Sequence, residues 1–402
     1  MIWKRENIKD LTELFTDGDW IETKNQSVDG IRLIQTGNIG FGKFKPKEDK
    51  KRFISLNTFE KLKCKEIYPG DILTSRLPDP VGKSCIIPDV GERMITGVDC
   101  SIIRLKPHVD KVFFAYYQMS NEYLNEVNAR VTGTTRSRIS RKNLGQIKVP
   151  IPPLQEQKQI VETLDKAFEK IDKAIANTKQ NLQNTKELFE SYLQNVFENT
   201  GDDWEEKTLK QIAEVFGRGK SKHRPRNDKK LYGGNYPFIQ TGDIRNSDHF
   251  IVDYKQTYNE VGLSQSKLWP KGTICITIAA NIAETGILSF EACFPDSVIG
   301  IIVDNKQAVV DYVEYLLQYF KVNIQTLSQG SAQENINLGT FEGKLFPFPS
   351  TEEQQKIIKK LDNLSAETKK LKAIYSQKIA DLEELKKSML EKAFKGELTS
   401  AA

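Results

Sequence analysis

The sequence predicts an α+β protein built as an internal repeat, in which each copy is a globular domain followed by a long helix. Three observations support this fold class. Similar segments recur at a nearly constant offset along the 402 residues. Short apolar runs between turn residues are typical of strands, and they alternate with short helical segments. Two stretches of about 44 residues show the heptad periodicity of long amphipathic helices.

The repeat is clearest at two proline-containing segments, each of which stands just before a predicted long helix. VPIPPLQEQKQIVETLD (149–165) aligns with FPFPSTEEQQKIIKKLD (346–362) at an offset of 197 residues. Further upstream, LIQTGNI (33–39) matches FIQTGDI (238–244) at an offset of 205 residues. Because these offsets are nearly equal, the sequence predicts a pseudo-two-fold internal repeat that occupies nearly the whole chain.

The first part of each copy, residues 1–150 and 201–346, is predicted to be a globular domain. Apolar runs such as SIIRL and VIGIIV are bounded by Gly, Pro and Asp, which favours short strands joined by turns. One helical segment follows these strands in each copy, at residues 112–127 and 309–322.

The second part of each copy, residues 151–200 and 347–402, is predicted to be a long helix. Prolines precede the first helix, at a position where proline is tolerated. From Val161 to Val196, apolar residues and two threonines recur at alternating steps of three and four, which is a heptad seam. The second seam includes Leu371 and Leu385, and its phase slips near Lys378. At 1.5 Å per residue each helix would be about 65 Å long.

A single amphipathic helix of this length cannot bury its own seam, so we expect the two helices to pack on each other. The domain between them should be only about 40 Å across by compact-domain scaling. The second helix therefore starts most easily near the end of the first and runs back along it, which predicts an antiparallel coiled coil. The alternative is that each helix packs only onto its own domain.

Composition limits the cellular context. Five cysteines, an odd number without a CxxC pair, suit free thiols in a reducing cytoplasm, which is the expected location. No run of 18 or more apolar residues occurs, and the N-terminus lacks an apolar signal core, so we expect no membrane partner. Three scattered histidines, at positions 108, 223 and 249, do not form a metal-ligand pattern.

The net charge of +5 is unevenly distributed. Residues 1–150 contain 26 basic and 19 acidic residues, and the loop 216–234 contains seven basic residues and one Asp. Basic residues among Ser, Thr and Gly suit contacts with phosphate and with guanine, although a solvated surface loop is the simpler alternative. The predicted DNA-binding residues are Lys43, Lys45, Arg76, Lys83, Arg130, Arg136, Arg138, Arg141, Lys142, Arg218, Lys220, Lys222, Arg224, Arg226, Lys229 and Lys230.

No catalytic residue is predicted. The strings Gly82-Lys83-Ser84 and Gly219-Lys220-Ser221 lack the first glycine of a Walker A motif. Pro295-Asp296 followed by Asp304-Asn305-Lys306 imitates the carboxylate cluster of metal-dependent nucleases, but the spacing is short and the first copy has no equivalent. A nuclease using Asp296 and Asp304 remains an alternative, and otherwise the sequence predicts a protein without catalytic residue, metal or cofactor.

The segment Pro152-Pro153-Leu154 with Glu156 and Gln157, repeated more loosely at Glu353-Gln354, resembles the specificity subunit of type I restriction–modification enzymes. The two IQTG strings, GDIL (70–73) and AFKGEL (393–398) are also similar to this family. The resemblance implies that each globular domain is a target-recognition domain that reads one half of a split double-stranded DNA sequence. It further implies that the antiparallel helices set the gap between the half-sites.

The resemblance also implies partners. Two methyltransferase subunits would dock on the helices and methylate adenine at N6, and ATP-dependent restriction/translocase subunits would join them where the system cuts DNA. The chain itself would be non-catalytic. The predicted partner-binding residues are Leu154, Gln157, Ile160, Glu353, Gln354 and Ile357. A free-standing coiled-coil DNA-binding or scaffold protein that self-dimerises remains the alternative.

Overall fold

The computed structural model describes residues 3–78, 80–133, 136–279, 282–329, 339, 341 and 343–398. Their strands are β1 (Lys4–Asn7), β2 (Thr12–Asp17), β3 (Ile31–Ile34), β4 (Phe53–Ile54), β5 (Glu66–Ile67), β6 (Ile72–Ser75), β7 (Ser84–Ile86), β8 (Met94–Thr96), β9 (Cys100–Leu105), β10 (Lys148–Ile151), β11 (Glu205–Lys207), β12 (Ala213–Arg218), β13 (Tyr232–Phe238), β14 (Phe250–Ile251), β15 (Gln256–Tyr258), β16 (Leu268–Trp269), β17 (Ile274–Thr277), β18 (Thr285–Leu288), β19 (Ala292–Cys293), β20 (Val298–Val303) and β21 (Phe346–Phe348). Their helices are α1 (Leu56–Leu62), α2 (Lys111–Tyr117), α3 (Asn121–Asn128), α4 (Arg141–Gly145), α5 (Leu154–Glu198), α6 (Thr241–Asn246), α7 (Glu260–Ser264), α8 (Val310–Gln329) and α9 (Thr351–Phe394). The mixture of strands and helices confirms the predicted α+β class.

The chain divides into two compact units, and the division cuts both long helices. Unit 1 comprises Met1–Lys179 with Ser376–Ala402, and unit 2 comprises Gln180–Tyr375. Each unit therefore contains one globular domain, part of α5 and part of α9. The sequence had suggested four consecutive segments, whereas the compact units combine a domain with pieces of both helices.

Each unit is built on the same pair of sheets. In unit 1 the larger sheet has the order β2-β9-β6-β7, and the smaller sheet has the order β4-β3-β8-β5. In unit 2 the larger sheet is β12-β20-β17-β18-β14 and the smaller sheet is β15-β13-β19-β16. The central pairs β3–β8 and β13–β19 are parallel in both units. The internal repeat is therefore visible in the topology, with β14 as an additional edge strand in unit 2.

The central strands of the larger sheets are apolar on both faces because each face is covered. In β6, Ile72 packs toward the helices while Leu73 packs toward the smaller sheet. In β17, Ile274 and Cys275 divide in the same way. This explains why the sequence shows continuous apolar runs here instead of a strict alternation of apolar and polar residues.

Each domain begins and ends beside the start of a long helix. Strand β1 pairs with β10 in an antiparallel register that places Arg5 opposite Pro150. Strand β11 pairs with β21 in the same way, with Glu206 opposite Pro347. The last strand of each pair leads directly into α5 or α9, so the helix start is anchored to the domain that precedes it.

The two long helices pack in opposite directions within each unit, as predicted. In unit 1 the early α5 residues Ile160 and Phe168 share a core with Phe394 at the end of α9. In unit 2 the late α5 residue Phe197 shares a core with Leu361 near the start of α9. These cores also contain the sheet and the short helices of each domain. Both helices thus pack on each other and on the domains, which combines the two arrangements considered from the sequence.

The structure corrects two seam positions predicted for α9. Leu371 and Leu385 are 36% and 47% exposed, so neither lies in the helix interface. By contrast, Thr368 of α9 is only 3% exposed, and Lys386 of α9 contacts α5. The ammonium of Lys386 lies 4.8 Å from the centroid of the Phe168 ring and 2.6 Å from an Asp172 carboxylate oxygen. A long aliphatic stem with a charged end can occupy a seam position that a search for apolar residues misses.

Smaller features also bear on the sequence predictions. The helix expected at 112–127 is interrupted, because Ser120 caps α3 by accepting a hydrogen bond from the Tyr123 backbone amide at 3.3 Å.

All five cysteines are buried and free, and burial raises the pKa of the Cys64 thiol to about 11. Among the described residues, no helix is long and apolar enough to cross a membrane.

Candidate nucleic-acid interface

Two carboxylates organise the arginines at one end of the larger sheet of unit 1. Asp17 ends β2, and Asp99 stands in the turn before β9. A guanidinium nitrogen of Arg138 lies 3.3 Å from Asp99, and Arg141 approaches Asp17 at 3.9 Å. The Arg138 and Arg141 side chains nevertheless stay 44% and 43% exposed. The carboxylates therefore hold these arginines at the sheet end while leaving them accessible to a polyanion.

Arg76 was predicted to contact DNA, but its side chain is buried inside the domain of unit 1. It is 5% exposed, burial lowers its pKa, and its Nε is 3.4 Å from Asp17. The backbone amide of Arg76 donates to the backbone carbonyl of Asp99 at 2.9 Å. In unit 2 the backbone amide of Ile278 donates to the backbone carbonyl of Ser297 at 3.0 Å in the same way. Arg76 thus takes the place of a buried isoleucine, and we reassign it from DNA contact to domain structure.

The other predicted basic residues of unit 1 vary in exposure. Arg136 and Lys142 are exposed, whereas Arg130 is half-buried and pairs with Glu126 at 2.6 Å. Thr134 and Thr135, which belong to the predicted basic segment 129–142, lie outside the described residues.

The lysines of unit 1 lie on separate loops. Lys43 and Lys45 are exposed on a loop whose backbone is fixed by hydrogen bonds from Gly40 N to Lys43 O and from Lys45 N to Asn38 O, both 2.8 Å. Lys83 is half-buried in the turn between β6 and β7. Of these three predicted lysines, Lys43 and Lys45 are the exposed ones.

The basic loop of unit 2 also surrounds carboxylates. A guanidinium nitrogen of Arg226 donates to Asp296 at 2.6 Å, and Arg224 lies 3.8 Å from the same carboxylate. His223 pairs with Asp228 at 2.9 Å. The other predicted residues of this loop are exposed, namely Arg218, Lys220, Lys222, Lys229 and Lys230. The loop is therefore an exposed cationic surface that two acidic side chains hold in shape.

The nuclease alternative fails on geometry. Asp296 precedes β20 and Asp304 follows it, so the six residues of that strand separate the two carboxylates. At about 3.3 Å per residue they are roughly 25 Å apart, too far to share a metal ion. Among the described residues, no group of three or more His, Cys, Asp and Glu side chains could hold a metal ion.

Each unit has a cavity beside its basic residues, and the repeated Gln-Thr pair of the IQTG string lines it. In unit 1 a cavity of about 340 Å³ is bordered by Gln35, Thr36, Asp99 and Arg136. In unit 2 Gln240 borders a cavity of about 510 Å³ together with Arg226 and Lys229. An adjoining cavity of about 200 Å³ is lined by Gln240, Thr241 and Arg226. The sequence had marked these residues as evidence of the repeat and of the family resemblance, but not as a site.

The residues predicted to bind partner subunits are mostly buried within their own units. Gln157 and Gln354 have no exposed surface. The Gln157 amide oxygen accepts from the Asp110 amide at 2.8 Å, and the Gln354 oxygen accepts from the Val309 amide at 2.9 Å. The side-chain nitrogen of each donates to the carbonyl of a proline just before the helix. Both glutamines therefore fasten a long helix to its domain.

The apolar members of that predicted set have a similar role. Ile160 is fully buried and Ile357 is 8% exposed, each within the core of its unit. We reassign both isoleucines and both buried glutamines from partner contact to domain packing. Leu154 and Glu353 are half-buried and remain accessible at the helix starts.

Unit 2 contains a buried charged cluster that the sequence did not reveal. His249 is 6% exposed, and its two ring nitrogens lie 3.0 Å from Asp311 and 2.5 Å from Glu314. Burial lowers the pKa of His249, but the two carboxylates outweigh it and raise the pKa to about 9. The Glu314 carboxylate also accepts from the Thr285 hydroxyl at 2.7 Å. Asp311 lies 62 residues beyond His249 in the sequence and Glu314 lies still further, so no local motif reveals the cluster.

A family model described as the type I restriction modification DNA specificity domain matches residues 2–184 and again residues 201–380. The putative type I restriction enzyme MjaX specificity subunit of Methanocaldococcus jannaschii is 24% identical over 386 residues, which cover 89% of this chain and 86% of that protein. The EcoKI specificity subunit of Escherichia coli K12 is 23% identical over 398 residues, covering 92% and 83%.

Two solved structures share the fold. One comes from a study of complex assembly and conformational transition of a type I R-M system, and it aligns with a TM-score of 0.80, 18% identity and 98% coverage of both chains. The other is an HsdS subunit from Thermoanaerobacter tengcongensis, with a TM-score of 0.63, 18% identity and coverage of 98% of this chain and 97% of that one. At these identities the likeness supports the architecture of two domains and two long helices.

Proposed function

The chain belongs to the type I restriction–modification DNA specificity family, whose subunits recognise DNA sequence without catalysing a reaction, and on that premise we propose that it reads a bipartite target. Each domain would read one half of a split double-stranded sequence. The two long helices would set the number of unspecified base pairs between the halves. Catalysis would come from partner subunits that this chain directs to the target.

The positions of the basic residues support a DNA contact in both units. Exposed arginines lie beside a cavity in each unit, with Arg136 and Arg138 in unit 1 and Arg224 and Arg226 in unit 2. Guanidinium groups bind phosphate for affinity and guanine edges for specificity. Two similar readers in one chain multiply specificity, because the penalties for wrong bases in two half-sites add.

The long helices support the spacing role. Helix α5 is continuous from Leu154 to Glu198, and α9 is continuous from Thr351 to Phe394. Each contributes to the cores of both units. A rod without internal Gly or Pro keeps a defined length at 1.5 Å per residue. The separation of the half-sites would then follow from the helix length, as it does for other paired DNA readers.

The partners would be two methyltransferase subunits that modify adenine at N6. The pseudo-repeat supports two copies, because the helix start is presented once in each unit. Leu154 and Glu353 are the accessible members of the predicted partner-binding set. ATP-dependent restriction/translocase subunits would join the complex in a system that cuts DNA. This assembly would act in the cytoplasm, where the five buried thiols stay reduced.

The observation that carries this proposal is the repetition of a cavity with exposed arginines in two units that share two continuous helices. The adenine-methylation profile of the native cell, with and without this gene, tests it. We expect a bipartite motif to disappear when the gene is deleted and to return when the gene is restored. A profile that does not change on deletion would contradict the proposal.

Sedimentation distinguishes this function from a self-dimerising scaffold. The purified chain is expected to form a complex with the methyltransferase subunit encoded nearby, at a ratio of two such subunits to one chain. A stable homodimer that ignores that subunit would favour the scaffold.

A further inference from the structure

The cavities of the two units are equivalent in position, although their linings differ. The turn that follows β3 carries Gln35 and Thr36, and the turn that follows β13 carries Gln240 and Thr241. We call these two Gln-Thr pairs the cavity turns. Strands β3 and β13 occupy the same place in their sheets, since each pairs in parallel with a central neighbour. The cavity turns therefore belong to the same structural position of the repeat.

A side chain three residues further on fixes the backbone of each cavity turn. The backbone amide of Gln35 donates to Asn38 Oδ1 at 3.0 Å, and the backbone amide of Gln240 donates to Asp243 Oδ2 at 2.9 Å. Because the backbone is held in this way, the Gln and Thr side chains stand at defined places on the cavity wall. Such rigid placement is what recognition of hydrogen-bonding groups on a ligand requires.

The chemistry of the cavity walls matches the edges of nucleic-acid bases. A glutamine side-chain amide offers a donor and an acceptor side by side, which complement N7 and N6 of adenine. In unit 2 the Gln240 side-chain nitrogen donates to Gln256 Oε1 at 3.1 Å, so this bond is exchanged when Gln240 contacts a base. An arginine guanidinium complements O6 and N7 of guanine. Both groups line the cavity in each unit, as Gln35 with Arg136 and as Gln240 with Arg226.

We infer that the cavity turns are the specificity-determining elements of the two domains, with Gln35 and Thr36 reading bases of one half-site and Gln240 and Thr241 reading bases of the other. This inference rests on the proposed function and adds the residues that discriminate between bases. Arg136 and Arg226 flank the turns and contact the neighbouring base or phosphate. The ligand is the edge of base pairs in double-stranded DNA.

The acids beside each cavity fit this role. Asp99 lines the unit 1 cavity and holds Arg138, and Asp296 holds Arg226 at the cavity of unit 2. A carboxylate that engages an arginine in the free protein preorganises the guanidinium without a bound ligand. It also weakens binding to phosphate alone, because the carboxylate offsets part of the positive charge of the arginine and repels the phosphate. Correct base contacts then become necessary for tight binding.

The linings also account for two different half-sites. In unit 2 the rings of Phe238 and Tyr258 stack with centroids 4.0 Å apart and form an aromatic floor. In unit 1 the corresponding wall is built from Leu33, Ile21 and the exposed Trp20. The same glutamine therefore meets DNA beside different apolar surfaces, so the two cavities select different bases around a shared contact.

The test uses the full chain expressed with its methyltransferase subunit in a host without adenine methylation. The variants are Gln35→Ala and Gln240→Ala, with Gln146→Ala and Gln307→Ala as matched controls because both control residues are exposed and line neither cavity. The methylated sites of each variant are determined by sequencing. We expect Gln35→Ala to relax one or two positions of one half-site, with discrimination lowered roughly 5- to 150-fold. Gln240→Ala should do the same at the other half-site, and the controls should keep the parent motif.

Thr36→Val and Thr241→Val supply a second pair of variants that keep the shape of the side chain while removing the hydroxyl group. They should also shift preference at the half-site of their own unit. Unchanged motifs in all four variants would overturn the inference, as would a uniform loss of methylation without a change in base preference. Either result would leave the proposed function standing, since the parent would still methylate a split motif. Absence of a split motif in the parent would instead contradict the proposed function itself.

Discussion

Units 1 and 2 are alike where they contact the long helices and differ where they carry their basic residues. In unit 1 the Tyr116 hydroxyl donates to Asp165 of α5, and in unit 2 the Tyr315 hydroxyl donates to Asp362 of α9 at 2.7 Å. Gln157 and Gln354 fasten the two helix starts with the same hydrogen bonds. The contacts between each domain and its long helix are therefore the same in the two units.

The other end of each sheet diverges. Gly18 and Gly219 are equivalent, because their amides donate to the carbonyls of Cys100 and Val298 at the starts of β9 and β20. The residue before each glycine is Asp17 in unit 1 and Arg218 in unit 2, a reversal of charge at one position. The comparison teaches that the chain keeps the contacts that fasten each domain to the helices, whereas at the end that would meet DNA it keeps the Gln-Thr pair and varies the charged residues around it.

Lengthening both helices should have the largest effect on this arrangement. We predict that seven residues inserted after Thr178 and after Tyr375 will lengthen the gap of the methylated motif by up to about three base pairs, since they add about 10 Å of rod. These insertion points lie at the boundary between the units, so both half-sites should stay unchanged. Sequencing of methylated adenines measures the gap.

The matched control is the insertion in one helix only. It shifts one seam against the other and should abolish or strongly reduce methylation. An unchanged gap after the double insertion would show that the helices do not set the spacing.

The next largest effect should come from two phenylalanines that occupy equivalent places in the two units. Phe394 packs on Phe113 with ring centroids 5.2 Å apart, and Phe197 packs on Tyr312 at 5.6 Å. We predict that Phe394→Ala destabilises unit 1 and Phe197→Ala destabilises unit 2, each by about 3–5 kcal/mol. Hydrogen exchange resolved by peptide measures each unit separately. The exposed Leu385→Ala should change stability by less than about 0.5 kcal/mol.

A loss of protection in the wrong unit would contradict the assignment of helix ends to domains. The informative case is Phe394, because it lies near the C-terminus and yet belongs to the core of the N-terminal domain.

Much of this fold could be predicted from the sequence, because it rests on periodicity. The repeat offset, the helix starts near Leu154 and Thr351, and the antiparallel packing all follow from patterns that extend over dozens of residues. The misplaced seam residues of α9 show the limit. A search for apolar residues selects Leu385, whereas the aliphatic stem and ammonium of Lys386 fit between Phe168 and Asp172.

The candidate site was harder to predict, because it depends on pairs that are distant in sequence. Composition identified the basic loops but could not show that Asp296 holds Arg226, 70 residues away. Arg76 illustrates the same limit, since only its burial and its equivalence to Ile278 reveal that it belongs to the interior. The cavity turns carried a local signal, an IQTG string in each copy, but its role needs the cavity to be seen.

The charged cluster of His249 should make unit 2 more sensitive to pH than unit 1. The pKa of His249 rises from its ordinary 6.5 to about 9, so its protonation stabilises the folded unit fully below about pH 6.5. That contribution, up to about 3 kcal/mol, is lost as the pH rises through 9. The hydrogen bond with His249 lowers the pKa of Asp311, so its contribution is present above its ordinary 3.8 and is lost as the pH falls further. Because Tyr116 and Tyr315 make equivalent contacts with the long helices, Ala115 and Val112 of unit 1 stand at the positions of Glu314 and Asp311.

Hydrogen exchange at pH 6 and pH 9.5, corrected for the intrinsic rate, measures this difference. Protection of unit 2 should fall at the higher pH while that of unit 1 changes less. His249→Gln should lower the stability at pH 6 and remove most of the pH dependence between 6 and 9.5. Equal loss of protection in both units of the parent would show that the cluster is not responsible.

The smallest effect should be on the salt dependence of DNA binding, and it tests whether both diverged ends meet phosphate. Arg138 and Arg224 each lie near one carboxylate and stay 44% and 55% exposed. Each is expected to neutralise one phosphate, so Arg138→Ala and Arg224→Ala should each lower the slope of log K against log salt by about one. Arg5→Ala is the control, because Arg5 pairs with Glu122 on the helix side of unit 1. A slope that falls for only one of the two variants would mean that one unit holds DNA mainly through its base contacts, and the two units would then differ in how they bind as well as in what they read.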